Sequence, residues 1–324
     1  MLKRCLALLT ALILLWSCAL AEDDHLRQYS DDQLLDMMAE IPEEGEEDNS
    51  SFLVLPESIA MPEEDVFTIL LIGADAYTDD TRGRSDTVIY VQVDAGSKTI
   101  RMASFLRDLY VDIPGKSHNR LNASYSWGGE KLLRRTLERN FGLVADAYVE
   151  VNFERLVRVI DALGGVEVEV SPREMTQVNS ILRFYNVQIG APEEDQLLHE
   201  HGLVHLTGKQ ALCFSRIRKI DGDVQRTARQ RKVLEAAFRK AASLSLADLT
   251  ALALGNLDAV RTDLTIPQIM ELIPLAKRCR NATFESIRIP VEGAYSSRLI
   301  DGMYVVVPNL RKNRQKLAEF FGAE

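Results

Sequence analysis

Residues 216–231 place Arg216, Arg218, Lys219, Arg226, Arg229 and Arg231 within sixteen positions, in a chain of 324 residues whose formal net charge is -10. Cations this dense repel one another unless an anion sits among them. Arginine suits phosphate, because its planar fork donates paired hydrogen bonds and stays charged at physiological pH. A helix starting near Asp223 places Arg226, Arg229 and Gln230 at i, i+3 and i+4, on one face. Arg216 and Arg218 stand just before it, across a short link containing Gly222. Two other places carry matching chemistry. Asp75 follows an apolar run and Gly73, and Asp86 comes eleven residues later, behind Arg84. Two hard carboxylates with open positions beside phosphate suit Mg²⁺; capping aspartates in an ordinary loop fit the same spacing equally well. Arg107 and Asp108 follow a third β-rich run, where a surface ion pair is the ordinary reading.

These side chains need strand ends and helix starts to hold them. The run V-F-T-I-L-L-I at 66–72 reads as a buried strand, 87–93 and 99–105 as two more joined by a turn at 95–97, and 147–151 and 166–170 as a fourth and fifth. Helical patterns cover 129–141, 153–163, 208–218, 223–244, 247–254, 266–279 and 309–321, with further strands at 284–289 and 303–307. The segment 171–205 has weak periodicity and reads as an irregular excursion. Strands and helices alternate throughout, so the expected fold is one layered α/β domain with a central mixed sheet flanked by helices.

Charge is unevenly spread. Residues 22–65 carry sixteen Asp or Glu against one cation, Arg27, whereas 66–324 sum to +3. The stretch 22–64 reads as an acidic, solvated linker and 65–324 as the folded domain. Residues 1–21 combine Lys3 and Arg4, an apolar run and a small-residue end at Ala19-Leu20-Ala21. That is the pattern of a secretory signal. It allows cleavage after Ala21, retention as a membrane anchor, or lipidation at Cys18, and each places the body outside the cytoplasm. Binding to nucleic acid fits neither that address nor the lack of aromatic residues among the arginines. Cys213 and Cys279 have no metal-ligand spacing. A disulfide between them is permitted outside the cell, but two separately buried thiols are the simpler expectation.

Taken in order, the motifs resemble the LytR-CpsA-Psr family over about 66–245. They are Ile69 to Asp75; Gly83-Arg84-Ser85-Asp86-Thr87; Arg107-Asp108-Leu109-Tyr110-Val111-Asp112-Ile113-Pro114-Gly115; Arg120-Leu121-Asn122-Ala123; Gly128-Gly129; Asp161-Ala162-Leu163-Gly164-Gly165-Val166; Leu206-Thr207-Gly208-Lys209-Gln210-Ala211-Leu212; Arg216-Ile217-Arg218; and Asp223 through Arg229-Gln230-Arg231. Several motifs in one order are far more specific than any one alone. The chain departs from the family at Leu106, where proline is common, and at Cys213, where an aromatic residue is frequent. The resemblance implies a membrane-associated, extracytoplasmic transferase. It would move a glycopolymer, such as a teichoic acid or capsular chain, from a polyprenyl-pyrophosphate carrier to peptidoglycan. Arg84, Arg107, Arg216, Arg218, Arg226, Arg229 and Gln230 would bind the pyrophosphate and stabilise charge developing on it. Asp75 and Asp86 would hold Mg²⁺, or one of them would act as base. The same residues are also compatible with a polyprenyl or nucleotide pyrophosphatase, and with a non-catalytic lipid-phosphate-binding or regulatory protein of the cell envelope.

Overall fold

A computed structural model describes residues 66–74, 83–255, 260–279 and 281–322. The leader, the acidic linker and Asp75 lie outside the described residues. The strands β1 (Val66–Ala74), β2 (Ser85–Asp94), β3 (Thr99–Phe105), β6 (Ala147–Val151), β9 (Arg261–Thr262) and β10 (Thr283–Ile289) form a six-stranded sheet in the order β10-β3-β2-β1-β6-β9. β1 pairs antiparallel with β2 and parallel with β6; β3 pairs antiparallel with β2 and parallel with β10; β9 lies antiparallel to β6. The sheet is therefore mixed, as expected.

Its strands read as continuous apolar runs because both faces are covered. Phe67, Ile69 and Leu71 of β1, with Ile89 and Val91 of β2, pack on one face against α2 (Phe153–Ala162), α3 (Pro172–Gln188), α4 (Gly208–Ser215), α5 (Gly222–Ser243), α6 (Leu246–Leu254) and α7 (Ile266–Arg278). Leu70 and Ile72, with Val88 and Tyr90, pack on the other face against α1 (Leu121–Phe141) and Leu317 of α8 (Leu310–Phe321). The two-residue period of a strand feeds two separate cores from one sequence.

Most strands and helices stand where the sequence placed them, and the differences have physical causes. The segment 171–205 is not irregular. It holds α3, opened by a capping box in which Ser171 and Glu174 bond reciprocally, with Pro172 at the first helical position. It also holds most of β8 (Gly202–Leu206), which pairs with β7 (Val166–Val170). The helix expected over 208–218 ends at Ser215, leaving Arg216 to Arg218 on a link. α1 begins eight residues before Gly129 and is interrupted there at φ 66°, ψ -155°, a conformation open only to glycine. Two small pairs complete the fold: β4 (Tyr110–Val111) with β5 (Asn119–Arg120), and β11 (Tyr295–Ile300) with β12 (Met303–Pro308).

Candidate active site

Asp86 is the second residue of β2, the sheet's third strand from the β10 edge. Ala74 at the end of β1 pairs with Ser85, after a register shift at Gly73. Gly73 is required by packing, because a Cβ there would stand 2.8 Å from the Thr87 Cβ. Arg107 leaves the end of β3 on a loop whose backbone is tied on three sides. Leu106 N–H donates to Ile289 O at 2.9 Å, Asn122 N–H to Arg107 O at 3.1 Å, and Val306 N–H to Asp108 O at 3.0 Å. The R-D-L and R-L-N-A motifs thus belong to one joint.

α4 delivers the third group. Gly208 at its start packs so closely on α2 that a Cβ would lie 2.1 Å from Val157 O. The Gly208 N–H donates to Asp161 Oδ1 at 2.6 Å. Asp161 and the L-T-G motif therefore fix where α4 points, and with it the link carrying Arg216 and Arg218.

Three arginines from distant segments meet on Asp86. Arg107 Nη1 donates to Oδ1 at 2.7 Å and Arg218 Nη2 to Oδ2 at 3.0 Å. Arg226, itself 2 % exposed, approaches Oδ2 at 3.5 Å and donates to the Asp86 carbonyl at 3.1 Å. Burial alone would raise the Asp86 pKa. The Arg107 hydrogen bond and the charges of Arg107, Arg226 and Arg218 outweigh it and hold the carboxyl below its usual range.

This cluster sits on a cavity of about 290 Å³. Asp86, Arg107, Arg216, Arg218, Arg226 and Gln230 supply its charged and polar side; Ile89, Leu156, Ile160, Leu212, Val233 and Leu234 are among its apolar residues. Arg216 lies over the Phe153 ring, 4.4 Å from its centroid, a cation–π contact that leaves its N–H edges free to point elsewhere. The arrangement can hold an anionic head beside an apolar chain.

Six of the expected site residues thus line one cavity, and two described ones do not. Arg84 is exposed and is not among the lining residues. Arg229, 4 % exposed, faces another way. Its Nε donates to Glu174 at 2.7 Å and its Nη1 to Ile217 O at 3.2 Å and to Asp221 at 2.9 Å; Nη2 also bonds Asp221. Arg229 and Gln230 are about 100° apart around the axis at 3.6 residues per turn, and Glu174 and Asp221 hold the Arg229 side chain on their side of the helix. Arg229 instead clamps the link that carries Arg216 and Arg218.

The apolar lining was missed from sequence. Its signal was present in α2, where Phe153, Leu156, Val159 and Ile160 share a face, but such a stripe reads as core. Cys213 and Cys279 are both buried, and burial pushes the Cys213 thiol up to about 12.

Comparison with known proteins agrees with the geometry. The family model LytR_cpsA_psr matches residues 34–319. A Bacillus cereus (strain AH820) protein named polyisoprenyl-teichoic acid–peptidoglycan teichoic acid transferase TagU is 34% identical over 253 residues, covering 76% of this chain and 75% of its own. A solved structure of TagT bound to LIIa-WTA superposes with a TM-score of 0.64 at 27% identity, over 80% of this chain and 91% of that one. Another, the LytR-CPS2A-psr family protein YwtF (TagT) with bound octaprenyl pyrophosphate lipid, gives 0.60 at 25% identity with the same coverage. With its family model spanning most of the sequence and its arginines gathered at one cavity, this chain belongs to the LytR_cpsA_psr family.

Proposed function

We propose that this protein is an extracytoplasmic phosphotransferase that moves a glycopolymer from a polyprenyl-pyrophosphate carrier to peptidoglycan. The observation that carries this reading is the convergence of Arg107, Arg218 and Arg226 on Asp86 beside an apolar cavity. A diphosphate head and an isoprenoid tail are the two chemistries that such a site accepts together. The named activity of the TagU relative and the octaprenyl pyrophosphate in the TagT structure support the same assignment. The basic leader and apolar run of residues 1–21 support the location outside the cytoplasm. Among the described residues no helix is long and apolar enough to cross a membrane.

In this reaction an acceptor hydroxyl oxygen attacks the phosphorus nearer the sugar and gives up its proton to water or to the carboxylate of Asp75, the P–O–P bond breaks, and the polyprenyl phosphate leaves. Charge grows on the phosphate oxygens, and prepositioned guanidinium groups stabilise it without having to move into place. Asp86 holds those groups apart and oriented before the donor arrives. Its depressed pKa suits a standing counter-charge better than a proton acceptor.

Mg²⁺ belongs to the same proposal. Oδ1 of Asp86 accepts one arginine bond, and a carboxylate oxygen has two lone pairs, so Asp86 fits as a ligand, with Asp75 proposed beside it. Bound there, the ion would neutralise charge on pyrophosphate oxygens.

The test is transfer of a lipid-linked polymer to peptidoglycan fragments by wild type and Arg107→Ala. Loss of product in a folded variant is expected. Wild-type transfer by Arg107→Ala would refute the site. Phosphate release without glycan product would identify a pyrophosphatase instead, and tight lipid binding without turnover a binding protein. For the metal, Mg²⁺ should raise the melting temperature of wild type and not of Asp86→Asn; an equal response in both would remove Asp86 as a ligand.

A further inference from the structure

A second group of cations lies beside the cavity and takes no part in the cluster on Asp86. Arg231 follows Gln230 on α5 but points about 100° away from it. Two turns further along, on the same face, Phe238 packs edge-on against Phe284 of β10, with ring centroids 5.0 Å apart. Arg288 is four residues after Phe284 and so projects from the same side of β10. Stepping back along the helix and forward along the strand from that aromatic pair brings Arg231 and Arg288 together. Burial, followed by the charge of Arg288, lowers the Arg231 pKa, which agrees with close approach of the two cations.

The sheet register adds a third group. Arg288 pairs with Ser104 of β3, and Ser104 pairs with Ile89 of β2. All three side chains therefore share one face, and Ile89 lines the cavity. Ser104 is 1 % exposed, and its hydroxyl has no hydrogen-bond partner among the described residues. The same holds for Nη1 of Arg231 and Nη1 of Arg288, both buried. Arg288 does have two other contacts: Glu292, at 3.3 Å and 90% exposed, and the Tyr295 ring, 5.7 Å from its guanidinium carbon. Neither satisfies Nη1. Two guanidinium groups and a hydroxyl thus present buried donors in one place, where like charges repel and unpaired donors are costly. An oxyanion corrects both faults at once.

We propose that Arg231, Arg288 and Ser104 form a second oxyanion subsite, which binds a phosphodiester of the polymer being transferred. The spacing separates it from the pyrophosphate site: Asp86 is on β2 and Arg288 on β10, two strands over, about 10 Å at ordinary strand spacing. A donor with a phosphodiester further along its chain can occupy both. The identity of the anion rests on the proposed function; the existence of the subsite does not.

Two measurements test this with the full chain. The first compares two polyprenyl-pyrophosphate donors, one carrying neutral sugars only and one extended by glycerol phosphate units. Arg231→Gln and Arg288→Gln should each raise KM for the extended donor about tenfold, the usual scale of a lost charge-assisted hydrogen bond. KM for the neutral donor should change less than twofold. Equal changes with both donors, or none with either, would overturn the proposal. If wild type transfers neither donor, the transferase reading fails, and the second measurement still decides the subsite. There, a lipid-free oligo(glycerol phosphate) should raise the melting temperature of wild type and of Arg107→Ala, but not of Arg231→Gln. Stabilisation of Arg231→Gln as large as that of wild type would refute the subsite. Stabilisation by inorganic phosphate equal to that by the oligomer would show a general phosphate site and refute the assignment to the polymer.

Discussion

Replacing Asp86 by asparagine tests the central claim that this carboxylate holds the arginines in place. Asparagine keeps the shape and one acceptor oxygen but removes the charge. The loss can be built from the three contacts. The Arg107 bond, at 2.7 Å between side chains 23% and 16% exposed, is worth about 1–2 kcal/mol. Arg226 is more buried but its carboxylate contact is longer, at 3.5 Å, and its bond to the backbone carbonyl survives the substitution; about 1 kcal/mol is appropriate. Arg218 is 37% exposed and solvent screens its pair, leaving about 0.5 kcal/mol. The total is about 3 kcal/mol, or roughly 6–12 °C in Tm for a domain of this size. Thermal melts across pH supply the check. The Asp86 pKa is depressed in the folded state, so its contribution is complete above the unfolded value. It is lost as pH falls through the folded one. The gap between wild type and variant should therefore be widest near neutrality and narrow below about pH 4. A variant melting within a degree of wild type at pH 7, or a gap independent of pH, would show that Asp86 does not anchor the cluster.

Other predictions follow from the same geometry. Arg229→Ala should lower stability by about 2–4 kcal/mol, because Glu174 and Asp221 lose a partner that is 4 % exposed. Chemical denaturation measures this, and an unchanged midpoint would refute the clamp. Gly73→Ala should destabilise by about 1–3 kcal/mol through contact with the Thr87 Cβ at 2.8 Å, and the cost should shrink in a Thr87→Gly background, which removes that Cβ. Cys213 and Cys279 should resist alkylation in the native protein at pH 8 and react only on unfolding. Rapid native labelling of Cys213 would contradict its burial.

The strand-end positions of Arg107 and Asp86 were readable because apolar runs of strand length end just beside them, and a chain whose sheet is covered on both faces must have such runs. Arg226 and Gln230 were readable as a pair because four residues separate them on a helix. Arg229 was misplaced because three residues of spacing also allows a shared face, and only Glu174 and Asp221 decide which way it turns. Glu174 lies in α3, whose period was hidden. Phe184, Val187 and Ile189 are exposed apolar residues near its end, and they blur the stripe formed by Val178, Leu182 and Tyr185. Its start signal, Ser171-Pro172 followed by Glu174, was nevertheless plain in the sequence. The second cation group was invisible for a different reason: Ser104, Arg231 and Arg288 meet only through strand pairing between distant segments.

The joint around Arg107 has a consequence for how the protein comes into being. Two of its three backbone anchors, Ile289 and Val306, come from the last forty residues of the chain. A ribosome makes Arg107 long before it makes either. Until β10 slots beside β3 and Val306 reaches Asp108, the arginine rides on an edge strand with only Asn122 and Asp86 to hold it. Contacts separated by about 180 residues form late in folding. Active chains should therefore emerge only after the final helix is complete, and any truncation that spares every motif up to residue 245 should still abolish the site.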